Sequence, residues 1–162
     1  MFECIEIKDH PQYLPQLKNL LEEYGRYLFE ELGLAAGRDS FYKEITSLPG
    51  KLYEPPCGTF ISVFSEMEAV GCVGIKKWDD QRCELKRMYI HPSARGKGAG
   101  MQLCRYAVDR SRQLGYKKIL LDTNEVMEKA VRLYLKTGFV FIDPYCINEN
   151  KHPLFMEYAH AI

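Results

Sequence analysis

The chain has 162 residues, 46% of them apolar, which fits one domain spanning residues 1–162 with a sizeable core and excludes a disordered tail. Its 22 lysines and arginines balance 22 aspartates and glutamates, so it lacks the broad basic surface of a general nucleic-acid binder while leaving room for a local basic pocket. No apolar run approaches the roughly 20 residues of a membrane span, and MFECIEIKDH has no basic start followed by an apolar core, so neither a membrane segment nor a signal peptide is expected and the cytoplasm is the expected compartment.

In chain order, ECIEI suggests a first strand. Leu14, Leu17, Leu20, Leu21, Tyr24 and Leu28 recur at three- and four-residue steps and predict a helix over Pro11–Glu31, interrupted by Gly33 and Gly37. Asp39 is the expected cap of a shorter helix ending at Ser47. LPGKLYEPPCG, with three prolines and two glycines, breaks regular structure. TFISVF, AVGCVGIKKW and CELKRMYI follow as three strands joined by the short turns SEME and DDQR, the pattern of an antiparallel meander. HPSARGKGAG leads into the helix MQLCRYAVDRSRQL, which Gly115 closes. KKILLD is a compact strand, MEKAVRLYLKT a helix closed by Gly138, and FVFI and PLFMEYA are late strands. The order strand, two helices, three strands, helix, strand, helix, two strands is that of a mixed α/β (α+β) domain with a crossover helix before KKILLD.

The six cysteines (Cys4, Cys57, Cys72, Cys83, Cys104 and Cys146) include no CxxC pair, and His10, His91, His152 and His160 show no ligand spacing, so reduced core thiols and no metal are expected. His91, before Pro92, is expected to be structural, and Trp78 to pack beside a turn.

His91–Gly100 concentrates three glycines, an arginine and a lysine between a strand and a helix. A helix N-terminus offers unpaired N–H groups and a partial positive charge, and glycines let an anion approach the backbone. Arg95 and Lys97 add full charges, a combination suited to a diphosphate at roughly 1.5–3 kcal/mol per charge-assisted bond. Gly96, Gly98 and Gly100 do not fit GxGxxG, and Gly96-Lys97 is followed by glycine rather than the Ser or Thr of a Walker loop. A glycine-rich turn with no ligand is the alternative.

Arg95, Gly98 and Gly100 match R-x-x-G-x-G, and AVRLYLKTGF resembles A-x-x-L-Y-x-x-x-G-F. Together with CELKRMYIHPSARGKGAG, KKILLDT, LPGKLYEPPCG and PYCINENKHPLFMEY, these motifs resemble the GNAT superfamily of acyl-CoA-dependent N-acetyltransferases over residues 48–158. The resemblance implies a GNAT fold, with a mixed central sheet of about six or seven strands, flanked by about four helices and splayed between the fourth and fifth strands. It implies acetyl-CoA as acyl donor, without a metal. The pyrophosphate would lie on backbone N–H groups of Arg95, Gly96, Lys97, Gly98, Ala99 and Gly100, extended by Met101, and the pantetheine arm would pair with backbone at Met88, Tyr89 and Ile90. A backbone N–H there could also polarise the thioester carbonyl.

Direct transfer needs a base to take a proton from the amine and an acid to protonate the departing thiolate. The resemblance puts Tyr134 at the acid's position, against the alternative of a core tyrosine packing with Val131 and Leu135. Glu84 is the candidate base. Strand alternation would put it on one face with Met88 and Ile90, about 13 Å from residue 88, so an acceptor or a water would bridge. The alternative is a solvent-facing glutamate paired with Lys86 or Arg87.

Met127 replaces an asparagine common in the family, and Asn124 either substitutes for it at the pantetheine or caps the following helix. Tyr24, Tyr27, the Leu48–Pro56 loop and the Tyr145–His152 loop are candidate acceptor-site segments, and Asn148, Glu149 and Asn150 either bind a polar amine or form a solvated turn. The acceptor is expected to be a small-molecule amine, with a protein amine as the other option, and homodimers are common in the family. A GNAT-fold module that binds CoA without turnover is the competing reading, separable by whether any amine releases free thiol.

Overall fold

The computed structural model describes residues 1–48 and 50–162; Pro49, within the predicted irregular loop, lies outside the described residues. Strand β1 covers Phe2–Glu6, and the predicted first helix comprises a 3-10 turn at Pro11–Tyr13, α1 at Leu14–Arg26 and a wider π turn at Tyr27–Glu31. Its apolar stripe buries Leu17, Leu20, Leu21 and Tyr24. Helix α2 covers Arg38–Ser47, and its N-cap is Gly37 at φ 76°, not Asp39. Glycine makes the left-handed entry one residue earlier, so Asp39 falls in the first turn, where its charge opposes the helix dipole's positive end.

The meander is β2 (Thr59–Ser65), β3 (Glu68–Lys77) and β4 (Arg82–Ile90), followed by α3 (Ala99–Gln113), β5 (Lys118–Asn124), α4 (Glu128–Thr137), β6 (Val140–Phe141) and β7 (Pro153–Ala159). FVFI is thus shortened to a two-residue strand. Seven strands form one mixed sheet in the order β1-β2-β3-β4-β5-β7-β6. Among the described residues only β4 and β5 pair in parallel, as a crossover through α3 requires.

Helices cover both faces. On one, α3 and α4 bury Leu103, Ala107 and Tyr134 against Val73, Ile75, Cys83 and Leu85; on the other, α1 and α2 bury Leu17, Phe41 and Ile45 against Phe60, Cys72 and Tyr89. All six cysteines are free thiols, with Cys72, Cys83 and Cys104 buried. Among the described residues no helix is long and apolar enough to cross a membrane.

Two irregularities shape the centre. The β4–β5 ladder stops at Glu84↔Leu120, so the carboxyl ends of these parallel strands splay apart. In β4 the register with β3 jumps from Gly74↔Lys86 to Cys72↔Tyr89, so Arg87 and Met88 together oppose Val73. Arg87 sits at φ 59°, the left-handed conformation that an unbranched side chain adopts at a cost. This bulge reverses the alternation: Cys83, Leu85, Met88 and Ile90 face α3 and α4, whereas Tyr89 packs under α1 and α2. Glu84 therefore does not share a face with Met88 and Ile90, because the bulge inserts one residue between them.

Candidate active site

The splay opens two adjoining cavities. One, of about 490 Å³, is lined by Met88, Tyr89 and Ile90 of β4, by Arg95, Gly96, Gly98, Gly100 and Met101 of the loop and α3, and by the α4 side around Ala130 and Leu133. Gly96 and Gly98 have φ 72° and 93°, and no atom lies within 4 Å of where a Cβ would stand on either. Glycine makes this left-handed path accessible and leaves the backbone open to a ligand. The first helical bond of α3 at this end runs from the Gln102 N–H to the Gly98 carbonyl at 3.0 Å, so the N–H groups of Ala99, Gly100 and Met101 precede it. The side chain of Arg95 is fixed: its Nε donates to the Ile90 carbonyl at 2.8 Å, and its guanidinium lies 5.2 Å from the Tyr27 ring centre and 5.6 Å from that of Tyr89. Lys97 is exposed, and Ala99 is buried in the core, so of Ala99 only the backbone is available to a ligand.

The second cavity, of about 420 Å³, lies between the α1–α2 segment, the free end of β4, the end of β5 and the loop after β6. Its lining includes Lys86, Arg87, Asp122, Asn124, Tyr134 and Asn148. Tyr24, Met88 and Met127 line both cavities and mark where they meet. Burial pushes the Tyr134 phenol well above its usual range, helped by Tyr24, Cys104 and Asp122, so it carries its proton at neutral pH. Its ring packs on Phe139 at 5.6 Å, which combines the core and cleft readings in one residue.

Glu84 is 4% exposed rather than solvent-facing. Its Oε2 accepts from the Tyr145 hydroxyl at 2.9 Å and lies 3.9 Å from Lys86 Nζ, behind the residues that line the cleft. Asn124 lines the second cavity, not the glycine-loop cavity. Its Nδ2 donates to the Lys151 carbonyl at 2.6 Å and its Oδ1 accepts from the Val126 N–H at 3.2 Å. It does not cap α4, whose N-cap is Met127; it braces the turn before that helix. Of the Leu48–Pro56 loop, Leu48, Tyr53, Glu54 and Pro55 line a separate apolar pocket with Ile7 and Phe60, away from the cleft. Asn148 and Asn150 are not a solvated turn: Asn148 Nδ2 donates to Asp122 Oδ2 at 2.9 Å, and Asn150 Oδ1 accepts from the Ala36 N–H at 3.2 Å, drawing the loop across the cleft. His91 Nδ1 pairs with Ser93 Oγ at 2.7 Å in the turn, and Trp78 meets the Tyr145 ring edge-on at 5.1 Å.

Three residues join the site without having been singled out from the sequence. Asp122 and Lys86 meet in the cleft, with Lys86 Nζ 3.4 Å from Asp122 Oδ1. Arg87 lies on the Phe41 ring at 4.5 Å and donates from Nε to Glu44 Oε1 at 3.0 Å, while the Tyr53 hydroxyl donates to the same oxygen at 2.6 Å. The available signal for Asp122 was its place at the carboxyl end of a parallel strand, where ligands gather in α/β sheets. Among the described residues no cluster of three or more metal-ligating side chains occurs.

Comparison with known proteins agrees with this geometry. The family model described as the Acetyltransferase (GNAT) family matches residues 14–139. An uncharacterized N-acetyltransferase of Schizosaccharomyces pombe is 32% identical over 148 residues, covering 90% of this chain and 88% of its own length. A crystal structure of an acetyltransferase from Streptococcus agalactiae superposes with a TM-score of 0.78 at 21% identity, covering 98% of both chains. The PaiA N-acetyltransferase of Thermoplasma acidophilum, crystallised in complex with coenzyme A, superposes with a TM-score of 0.71 at 20% identity, covering 99% of both chains. With its splayed parallel pair, its glycine-lined loop at the start of α3 and a family match across most of its length, the chain belongs to the GNAT family and is an acetyl-CoA-dependent N-acetyltransferase.

Proposed function

We propose that the acceptor is a small-molecule primary amine and that it attacks the thioester directly. The observation that carries this reading is the meeting of the two cavities at Tyr24, Met88 and Met127, with Tyr134 on the acceptor side. A donor held along the glycine loop and the unpaired edge of β4 would bring its acyl end to the mouth of the second cavity. The pyrophosphate fits Gly96–Met101, where the backbone is bare and N–H groups precede the first bond of α3, with Arg95 anchored alongside. The structural relative crystallised with coenzyme A supports the same donor.

The acceptor cavity's volume of about 420 Å³ lies in the range of small-ligand sites, and it presents Asp122 and Glu149 to a cation. Attack forms the C–N bond and breaks the C–S bond. The Tyr134 phenol donates its proton to the departing sulfur and regains one from the amine nitrogen.

The test is release of free thiol from acetyl-CoA with a panel of primary alkylamines, α,ω-diamines, amino acids and short peptides. Turnover with a small amine at a kcat/KM well above that of any peptide is the expected result. Turnover confined to peptides would replace the small molecule by a protein amine.

A further inference from the structure

We infer that Asp122, not Glu84, is the carboxylate that receives the acceptor's ammonium and takes its first proton, while Glu84 positions Lys86. The assignment rests on the acetyl-transfer reading above and adds to it the residue that meets the amine. Asp122 lies near the end of strand β5, two residues beyond the last rung with β4, and it lines the acceptor cavity together with Tyr134. Glu84 belongs to the last paired rung, is more deeply buried and already accepts the Tyr145 hydroxyl.

The hydrogen-bonding capacity at the two carboxylates differs in the same sense. A carboxylate offers about four acceptor positions. Asp122 Oδ2 holds Asn148 Nδ2 at 2.9 Å, but its Oδ1 has Lys86 Nζ only at a long 3.4 Å. Lys86 is shared, with Glu84 Oε2 at 3.9 Å, and Arg87 is committed to Glu44 at 3.0 Å. The cavity lining holds Lys86 and Arg87 against Asp122 and Glu149, and since Arg87 is committed to Glu44 and Lys86 reaches Asp122 only at 3.4 Å, the Asp122 carboxylate keeps acceptor capacity for an entering ammonium.

Proton transfer then balances. The ammonium gives one proton to the Asp122 carboxylate and becomes the nucleophile; as the C–S bond breaks, a second nitrogen proton replaces the one that Tyr134 gives to sulfur. The products are the amide, the CoA thiol and a proton on Asp122 that leaves to water.

The decisive comparison uses two nucleophiles. The best primary alkylamine of the panel is protonated at assay pH; methoxyamine is neutral and needs neither a charge partner nor a first deprotonation. Asp122→Asn is expected to lower kcat/KM for the alkylamine by about 10²–10⁴-fold. It should spare methoxyamine and the KM for acetyl-CoA. Glu84→Gln is expected to lower both amines alike and by less. Equal loss on the two nucleophiles in Asp122→Asn, unchanged kinetics there, or the nucleophile-selective loss appearing in Glu84→Gln would each overturn the assignment while acetyl transfer stands. If no amine raises thiol release by the wild-type protein above the amine-free rate, the transfer reading and this assignment fall together.

A measurement on wild-type protein removes dependence on the variant's folding. A trimethylalkylammonium ion should compete with the alkylamine more strongly than its neutral isostere, in which the trimethylammonium group is replaced by tert-butyl. Equal competition would also overturn the assignment.

Discussion

As the proposed acid, Tyr134 would have to keep its proton until the thiolate departs. Burial first, and the Asp122 charge to a lesser extent, favour its neutral form, and the residue lines the second cavity. Tyr134→Phe preserves the ring's packing on Phe139 and removes only the donor. It is expected to lower kcat by roughly a hundredfold or more with little change in KM for acetyl-CoA or in Tm, measured by steady-state thiol release and thermal melting. Arg95 should divide in the opposite way. Its contacts with the Ile90 carbonyl and the Tyr27 and Tyr89 rings fix the loop proposed to hold the donor, so Arg95→Ala is expected to raise KM for acetyl-CoA by about tenfold, the low end of a charge-assisted bond. Arg95→Lys should restore little, because an ammonium lacks the planar face that stacks on both rings.

The elements were legible where side-chain periodicity carries the information. The α1 stripe, the three-strand meander and the strand–helix–strand run from β4 to β5 follow from apolar spacing and short turns. The splay was available only through the resemblance, because it is the absence of rungs beyond Glu84↔Leu120 and no residue type announces that. The bulge was invisible for a sharper reason. CELKRMYI holds no glycine or proline, and the left-handed residue is an arginine whose conformation is held by distant Glu44 and Phe41. One unmarked insertion therefore moved Glu84 to the wrong face in the sequence expectation. The Tyr145–His152 loop was named from the sequence as a candidate acceptor segment, but its tie to β5 was hidden, since Asn148 meets an aspartate 26 positions away. If the α2 contact holds the bulge, Glu44→Ala leaves a half-buried guanidinium without its charged partner and should destabilise the protein by about 1.5–3 kcal/mol in urea unfolding. Adding Arg87→Met should recover most of that loss, since the uncompensated charge goes with it.

At the scale of the molecule, buried and half-buried thiols and phenols, a half-buried ion pair and a half-buried imidazole confine stability to a window of pH. On the acid side, burial and then the Arg112 charge hold His160 below its usual 6.5, and its ring pairs with Ser111 Oγ at 2.8 Å. The unfolded chain takes up that proton first, so this contribution is complete above about pH 6.5 and is lost as pH falls through the folded value. Glu44 acts lower down. Burial pushes its carboxyl up, but the Arg87 hydrogen bond and charge outweigh that and hold it below 4.5, so its contribution is lost only in stronger acid. On the alkaline side the sign reverses. Burial raises Cys4 and Cys104 to about 11 and Cys83 to about 12, whereas the unfolded thiols ionise near 9.0. Stability should therefore fall as pH rises from about 9 towards these values, because the native state then binds more protons. Thermal melts from pH 4 to 11 are expected to show a plateau between about 6.5 and 9 with a shoulder on each side. His160→Gln keeps a donor for Ser111 and removes the titration, so it should flatten the limb just below pH 6.5 while leaving the steeper loss below 4.5 in place. An unchanged upper acid limb in that variant would show that another group sets it.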